Sequence, residues 1–263
     1  MRSGRLAANA RVVVALGRRS VKQTFRRPQF LAPILLFPSL FLAINTGGAG
    51  RATEIPGFPE VAGFLDFELA GAMLQSTMLV GVSGGIALAL DIEMGFLDRL
   101  VAAPISRSAM VLGRLAATAA LGVVVAAWFV ALGLVFGAQV QAGLAGVALI
   151  FVLVALSAMA FGGLGAALAL AAGRASVVQG IFPLVFVILF MSSAFFPREL
   201  LLEPAATVAL YNPLSLIVEG IRAPVIAEIS GGALAQGLLG IAIVAALGFG
   251  LSSLALRRRL QTG

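Results

Sequence analysis

The sequence predicts an all-α membrane protein with six transmembrane helices and both ends in the cytoplasm. Of its 263 residues, 60% are hydrophobic and only 11% charged, and the mean hydropathy is +1.08. That is more apolar surface than a soluble core can bury, so lipid is the solvent for most of the chain. Six apolar runs approach the roughly 20 residues that a helix needs to cross a bilayer. With the termini inside, fifteen of the eighteen Lys and Arg residues fall on the cytoplasmic side, as the positive-inside bias requires.

Residues 1–28 hold eight basic residues and no acidic one. Val12, Val13, Leu16 and Phe25 lie among the arginines and Lys22, the pattern of an amphipathic helix lying in the interface against anionic headgroups. Pro28 would end it. A cleaved leader or twin-arginine signal is a poorer reading, because the basic region is long and five further apolar runs follow the first. The net charge of +7 points to membrane lipid and not to nucleic acid, because it is gathered at these membrane-flanking positions.

The spans are expected at 29–45, which carries Pro33 and Pro38, and then at 67–90, 109–136, 144–172, 177–195 and 233–256. Together with the segments between them they form one domain over 1–263. Only Arg51, Arg198 and Arg222 are left on the outer side. The spans are rich in Gly at positions such as 81, 85, 133, 137, 162, 163 and 165, which lets helix backbones approach closely.

With no Cys and no His, disulfides, thiolate chemistry, Cys/His metal sites and Ser-His nucleophiles are excluded, and no metal-binding residues are expected. The span interiors carry no Asp, Glu, Lys or Arg, with Asp66 and Glu68 expected at the outer boundary and Asp91 and Glu93 at the cytoplasmic one. An ion-coupled secondary transporter usually keeps ionisable groups within the bilayer, so this alternative is disfavoured. Gln75, Ser76, Thr77, Ser83 and Gln179 remain as the polar groups able to line a substrate path. No G-x-x-x-x-G-K-[ST] is present and Lys22 is the only lysine, so no catalytic residues and no nucleotide site of that kind are expected in these residues.

The cytoplasmic segment 91–108 is unusually structured. Asp91 and Glu93 come first, then Gly95, Phe96 and Leu97, Asp98, Arg99, Leu100, and finally Pro104 and Arg107. Apolar residues at helical spacing between charges of both signs suit a short surface helix offered to a soluble partner. The segment 196–232 carries apolar runs too short to span, broken by Pro197, Pro204, Pro213 and Pro224. Such broken elements are tolerated at membrane depth only where protein or a cavity surrounds them. Glu219 and Arg222, three apart, would share a helix face and could pair.

Glu93, Gly95, Asp98, Leu100, Pro104, Ile105, Ser106 and Arg107 resemble the E-x-G-x-x-[ED]-x-L-x-x-x-P-[IV]-[ST]-R pattern of type-2 ABC exporter permeases, the group that includes daunorubicin-resistance-type permeases. Phe195-Phe196-Pro197, Glu203-Pro204, Tyr211-Asn212-Pro213-Leu214 and Glu219-Gly220-Ile221-Arg222 resemble that family's FP, P, NPL and R region. The resemblance implies a permease domain that pairs with a second permease and with ATP-binding-cassette ATPase subunits. This chain would bind no cofactor, and ATP and magnesium would sit on the partner ATPase. It also implies that 91–108 is the coupling helix and 196–232 an extracellular re-entrant helical segment built around Pro197, Asn212, Pro213, Glu219 and Arg222. The expected function is export of a hydrophobic or amphipathic molecule: a drug, a lipid or a lipid-linked metabolite. An ion-coupled transporter, a non-transporting assembly subunit and an intramembrane enzyme are the alternatives.

Overall fold

The computed structural model describes Gly17, Lys22, residues 28–96 and residues 107–262. Among these every regular element is a helix, the form that satisfies its backbone polar groups within one segment when lipid offers no partners. α1 runs Pro28–Ala49 and leads through a 3-10 turn, Gly50–Glu54, and a loop to α2, Phe64–Glu93. α3 is Arg107–Val135 and α4 Gly143–Ala172. Then come α5 (Ala175–Gly180), α6 (Phe182–Phe190), a 3-10 turn at Arg198–Leu200, α7 (Ala205–Tyr211), α8 (Pro213–Ile226) and α9 (Gly231–Thr262). The expected interfacial helix over 1–28 and most of the coupling segment lie outside the described residues.

Five of these helical stretches are long and apolar enough to cross a membrane: Leu31–Glu54, Phe64–Glu93, Gly113–Val135, Gly143–Ala172 and Gly231–Arg258. The continuous helix expected at 177–195 is instead two pieces, α5 and α6, that break at Ile181 and stop at Phe190. Pro183 lies in the first turn of α6, and a proline restricts the residue before it and leaves a carbonyl one turn earlier without its donor. Residues 191–194 then form turns and 195 a bend where helix was expected. α4 ends at Gly173, whose φ of +66° is left-handed and whose N–H donates to the Ala169 carbonyl at 2.8 Å, a C-cap that glycine adopts without steric cost.

α2 is the central helix, with nearly every residue from Phe64 to Val82 buried. At 30 residues it is about 45 Å long, more than enough to cross a hydrocarbon layer about 30 Å thick. It lies against α4 in the same direction: a Cβ on Gly81 would meet the Phe161 carbonyl, and one on Gly85 would sit 2.7 Å from the Gly165 carbonyl oxygen. α3 runs the other way along α4, with Gly122 against Ala155 and Ala158, and Thr118 against Gly162. α9 follows α4 through Gly248 and Gly163. These directions bring Pro28 and Thr262 to one end of the bundle, here called the terminal end. α1 is the least enclosed span; it presents Ile34, Pro38 and Leu42 to the core while Leu36, Phe37, Leu40 and Ile44 are exposed.

Candidate functional site

Two clusters, one at each end of α2, gather some of the side chains singled out from the sequence. The first surrounds the α6–α8 connection. Asn212 stands immediately before α8: its Oδ1 accepts from the Leu214 N–H at 3.0 Å, and Pro213 follows at the first helical position, where its missing N–H costs nothing. The Asn212 Nδ2 donates to the carbonyls of Ile188 and Met191, each at 3.0 Å, which the end of α6 leaves without helical donors. One side chain therefore caps two helices. Asn212→Ala should lower thermal stability in detergent by about 1–2 kcal/mol, and no change in melting temperature would refute this double-capping role. Pro197, also buried, opens the 3-10 turn that follows.

Ser215, Glu219 and Arg222 lie at i, i+4 and i+7, one face of α8, and that face reads the 192–194 turn. Ser215 Oγ accepts from the Ser193 N–H at 3.1 Å, and Ser193 Oγ donates to Glu219 Oε1 at 2.8 Å. The Arg222 guanidinium donates from Nη2 to the Ser193 and Ala194 carbonyls at 3.0 and 2.9 Å. It also donates from Nη1 to Glu219 at 2.8 Å and from Nε to the Phe67 carbonyl at 2.9 Å. Its Cζ lies 3.7 Å from the Phe67 ring centroid, within cation–π range. The pairing of Glu219 with Arg222 occurs as expected, but far from being a surface ion pair it involves an arginine only 1% exposed. The turn sits directly on α2, where a Cβ on Gly71 would lie 2.6 Å from the Ala194 oxygen.

Glu68, expected at the outer boundary, is enclosed by protein near that end of α2. α2 begins at Phe64, three residues before the expected start, so Glu68 falls in its second turn and is fully buried. Its Oε1 accepts from Asn45 Nδ2 of α1 at 2.8 Å, and it is an electrostatic neighbour of Arg222. Asp66, also buried, accepts from the Gln139 N–H at 3.0 Å and so holds the α3–α4 loop, which is further bonded to the Pro224 and Val225 carbonyls at the end of α8.

The second cluster lies at the terminal end. α2 stops at Gly95, left-handed at φ +65°, which is the physical need for that glycine. Asp91 pairs with Arg114 of α3 at 3.1 Å, and exposed Glu93 accepts from the Ala175 N–H at 2.8 Å, at the start of α5. These two acids tie three elements together at this end. Phe96 is half-buried, and Arg107 begins α3. Asp98, Arg99, Leu100 and Pro104 lie outside the described residues.

The polar residues expected along a substrate path separate. Gln75, Ser76 and Thr77 are buried in the core of α2, and Thr77 donates to the Leu74 carbonyl at 2.7 Å. Ser83 is half-buried and Gln179 exposed on α5. Among the described residues no group of three or more acidic side chains comes together to hold a metal. Sequence reading missed Asn45, Phe67, Gly71, Ser193 and Ser215. The one available signal was polar residues inside otherwise apolar runs, which are kept where they have partners.

Residues 11–226 match the family model described as ABC-2 type transporter. A curated relative, the daunorubicin resistance ABC transporter permease protein DrrB1 of Streptomyces coeruleorubidus, is 30% identical over 193 residues, covering 72% of this chain and 65% of the relative. The match thus spans just under two thirds of that relative's length. With a family match over most of its length and a bundle of apolar membrane-crossing helices, the chain belongs to the ABC-2 type transporter family, as a membrane permease.

Proposed function

We propose that this permease exports a hydrophobic or amphipathic molecule from the cytoplasm, driven by ATP hydrolysis on a separate ATP-binding-cassette subunit and working as a dimer with a second permease. The family match over residues 11–226 carries this reading, and the drug resistance in the relative's name supports a drug-like cargo. The absence of a phosphate-cradling loop from these 263 residues is consistent with ATP binding elsewhere.

In this reading residues 1–263 form one permease domain whose terminal end faces the cytoplasm, where the basic residues gather. α5 and α6, about 24 Å long together, and the 191–195 turn make a short sixth crossing. α7 and α8 form the re-entrant pair: a Cβ on Gly240 would lie 2.7 Å from the Pro213 carbonyl, so α8 begins nine residues into α9, at a depth of about 14 Å. The coupling segment hangs between α2 and α3, and the Asp91–Arg114 and Glu93–Ala175 contacts would pass its displacement to the next span.

The E93K/D98K double variant, reconstituted with the partner ATPase, should insert normally and hydrolyse ATP while export falls at least tenfold. Export at the parental rate would refute the coupling assignment. Failure of the solubilised protein to co-purify with any ATPase would refute the export reading itself.

A further inference from the structure

The break at Ile181 falls on a boundary in the packing. Among the described residues, the buried apolar side chains form two clusters. α5 belongs to the smaller, in which Val178 groups with Leu88, Ala89 and Ile92 at the terminal end of α2 and with Ala169 of α4. α6 belongs to the main core, through buried Leu189 and the partly buried Val185 and Phe186. One apolar run of the sequence is thus divided between two packing units, and the division coincides with the point where the helix breaks.

α5 is also fastened at its first residue. At six residues it is too short to persist unaided, and its first N–H groups have no acceptor within the helix. The Glu93 carboxylate supplies one, accepting from the Ala175 N–H at 2.8 Å, and it sets a negative charge at the positive end of the helix. Arg174, at the cap position, makes no side-chain capping bond. The acceptor comes instead from the end of α2, 82 residues away in the chain, just before the left-handed Gly95 and the coupling segment. The other end of α5 is easily bent. Gly180 closes it, and nothing lies within 4 Å of a Cβ built there, so packing does not demand a glycine and its effect is to weaken the helix. Pro183 is exposed and removes the helical donor for the Gln179 carbonyl. Neither residue makes room for a neighbour, and both lower the cost of changing the angle between α5 and α6.

We propose that α5 is a lever. Glu93 and Val178 fasten it to the terminal end of α2, and it pivots on α6 at residues 180–183, so that a displacement of the 91–108 segment reaches the short sixth crossing as a change of angle. Glu93 is then a positioning residue that acts through its bond to α5 and not through contact with the ATPase. This inference rests on the export reading and adds the route by which the coupling segment acts.

The chain has no cysteine, so a pair introduced at Val177 and Leu184, both exposed, can carry spin labels across the break, about 10 Å apart along the helix axis. The V177C/L184C permease is assembled with its partner ATPase in vesicles, labelled chains being diluted with unlabelled ones. The label separation is read without nucleotide and after ATP is trapped with vanadate, and it should shift by about 2 Å or more. A separation that does not respond overturns the proposal. On this background Glu93→Ala should cut the shift roughly threefold, whereas Glu93→Gln, which keeps an acceptor oxygen for the Ala175 N–H, should retain most of it. An undiminished shift in the alanine variant, or equal loss in the glutamine one, overturns the positioning role. The double variant G180A/P183A continues the helix with no clash at 180 and should leave insertion and ATPase association intact while cutting the shift roughly threefold. An undiminished shift there overturns the pivot, and because this variant strengthens the helix it keeps the proposal testable if Glu93→Ala fails to insert. A complex that hydrolyses ATP with a fixed angle between α5 and α6 overturns the lever alone, whereas a permease that associates with no ATPase overturns the export reading first.

Discussion

Arg222→Met is expected to abolish stable insertion, with a loss of about 3–5 kcal/mol, because it strips three backbone carbonyls of their donor, whereas Glu219, with 40% of its side chain exposed, can turn to other partners. The guanidinium makes four hydrogen bonds to α2, to Glu219 and to the 192–194 turn. Methionine fills much of the same volume and makes none of them. The Ser193 and Ala194 carbonyls would then face a region without water, and Glu219 would lose its cation. Arg222→Lys should be nearly as severe, because an ammonium is a point charge and cannot serve three directions at once with a planar fork. The double variant E219M/R222M removes both charges together and should recover part of the loss. Membrane abundance and thermal unfolding in detergent report these effects. A Met variant within about 1 kcal/mol of the parent would show that α8 does not depend on this arginine, against the destabilisation expected when buried carbonyls lose their donor.

Gly165→Leu should separate α2 from α4 and reduce folded protein more than any surface change. A Cβ at Gly165 falls on the Gly81 carbonyl oxygen, and a Cβ at Gly85 would lie 2.7 Å from the Gly165 oxygen. The obstacle is backbone, which cannot rotate aside as a side chain can. Even alanine should cost about 1–3 kcal/mol by overpacking, and leucine more. Gly250 provides the contrast, because nothing lies within 4 Å of a Cβ built there, and Gly250→Ala should leave stability unchanged or raise it by up to about 1 kcal/mol. Equal behaviour of the 165 and 250 variants would sink this account of the bundle. The gain from such glycines is close van der Waals contact, which replaces the hydrophobic driving force that lipid removes.

Much of this was legible in the sequence because it depends on local chemistry. Composition and run length specify membrane-crossing helices, since a backbone in lipid has few ways to satisfy its polar groups. The Asn212-Pro213 pair reads as a helix start, and Gly95 as a helix stop, from conformational preferences carried by single residues. The motifs around Glu93 and Asn212 pointed to the family that the comparison established. What was misread depends on contacts distant in the chain. Arg222 is 155 residues from the Phe67 carbonyl it binds, and nothing local distinguishes a buried arginine from one at a boundary. Glu68 reads as a boundary residue because apolar runs near it end there, and only the fold shows that it is fully buried with Asn45 as its partner. The break at Ile181 follows from Pro183 inside an apolar run that hydropathy alone reads as continuous.

By itself, then, the sequence determined the solvent, the helical class, the side on which the basic residues gather and the permease family, because each follows from composition or from short motifs. Only the tertiary structure decided which polar groups are satisfied. It assigned Glu93 to the start of α5 and Arg222 to a turn and a second helix, and left Glu68 Oε2, the Gln75 amide and Ser76 Oγ buried without partners among the described residues. A side chain's partners are set by how helices lie against one another, and in this bundle that arrangement is fixed by glycines and turns whose contacts span tens of residues.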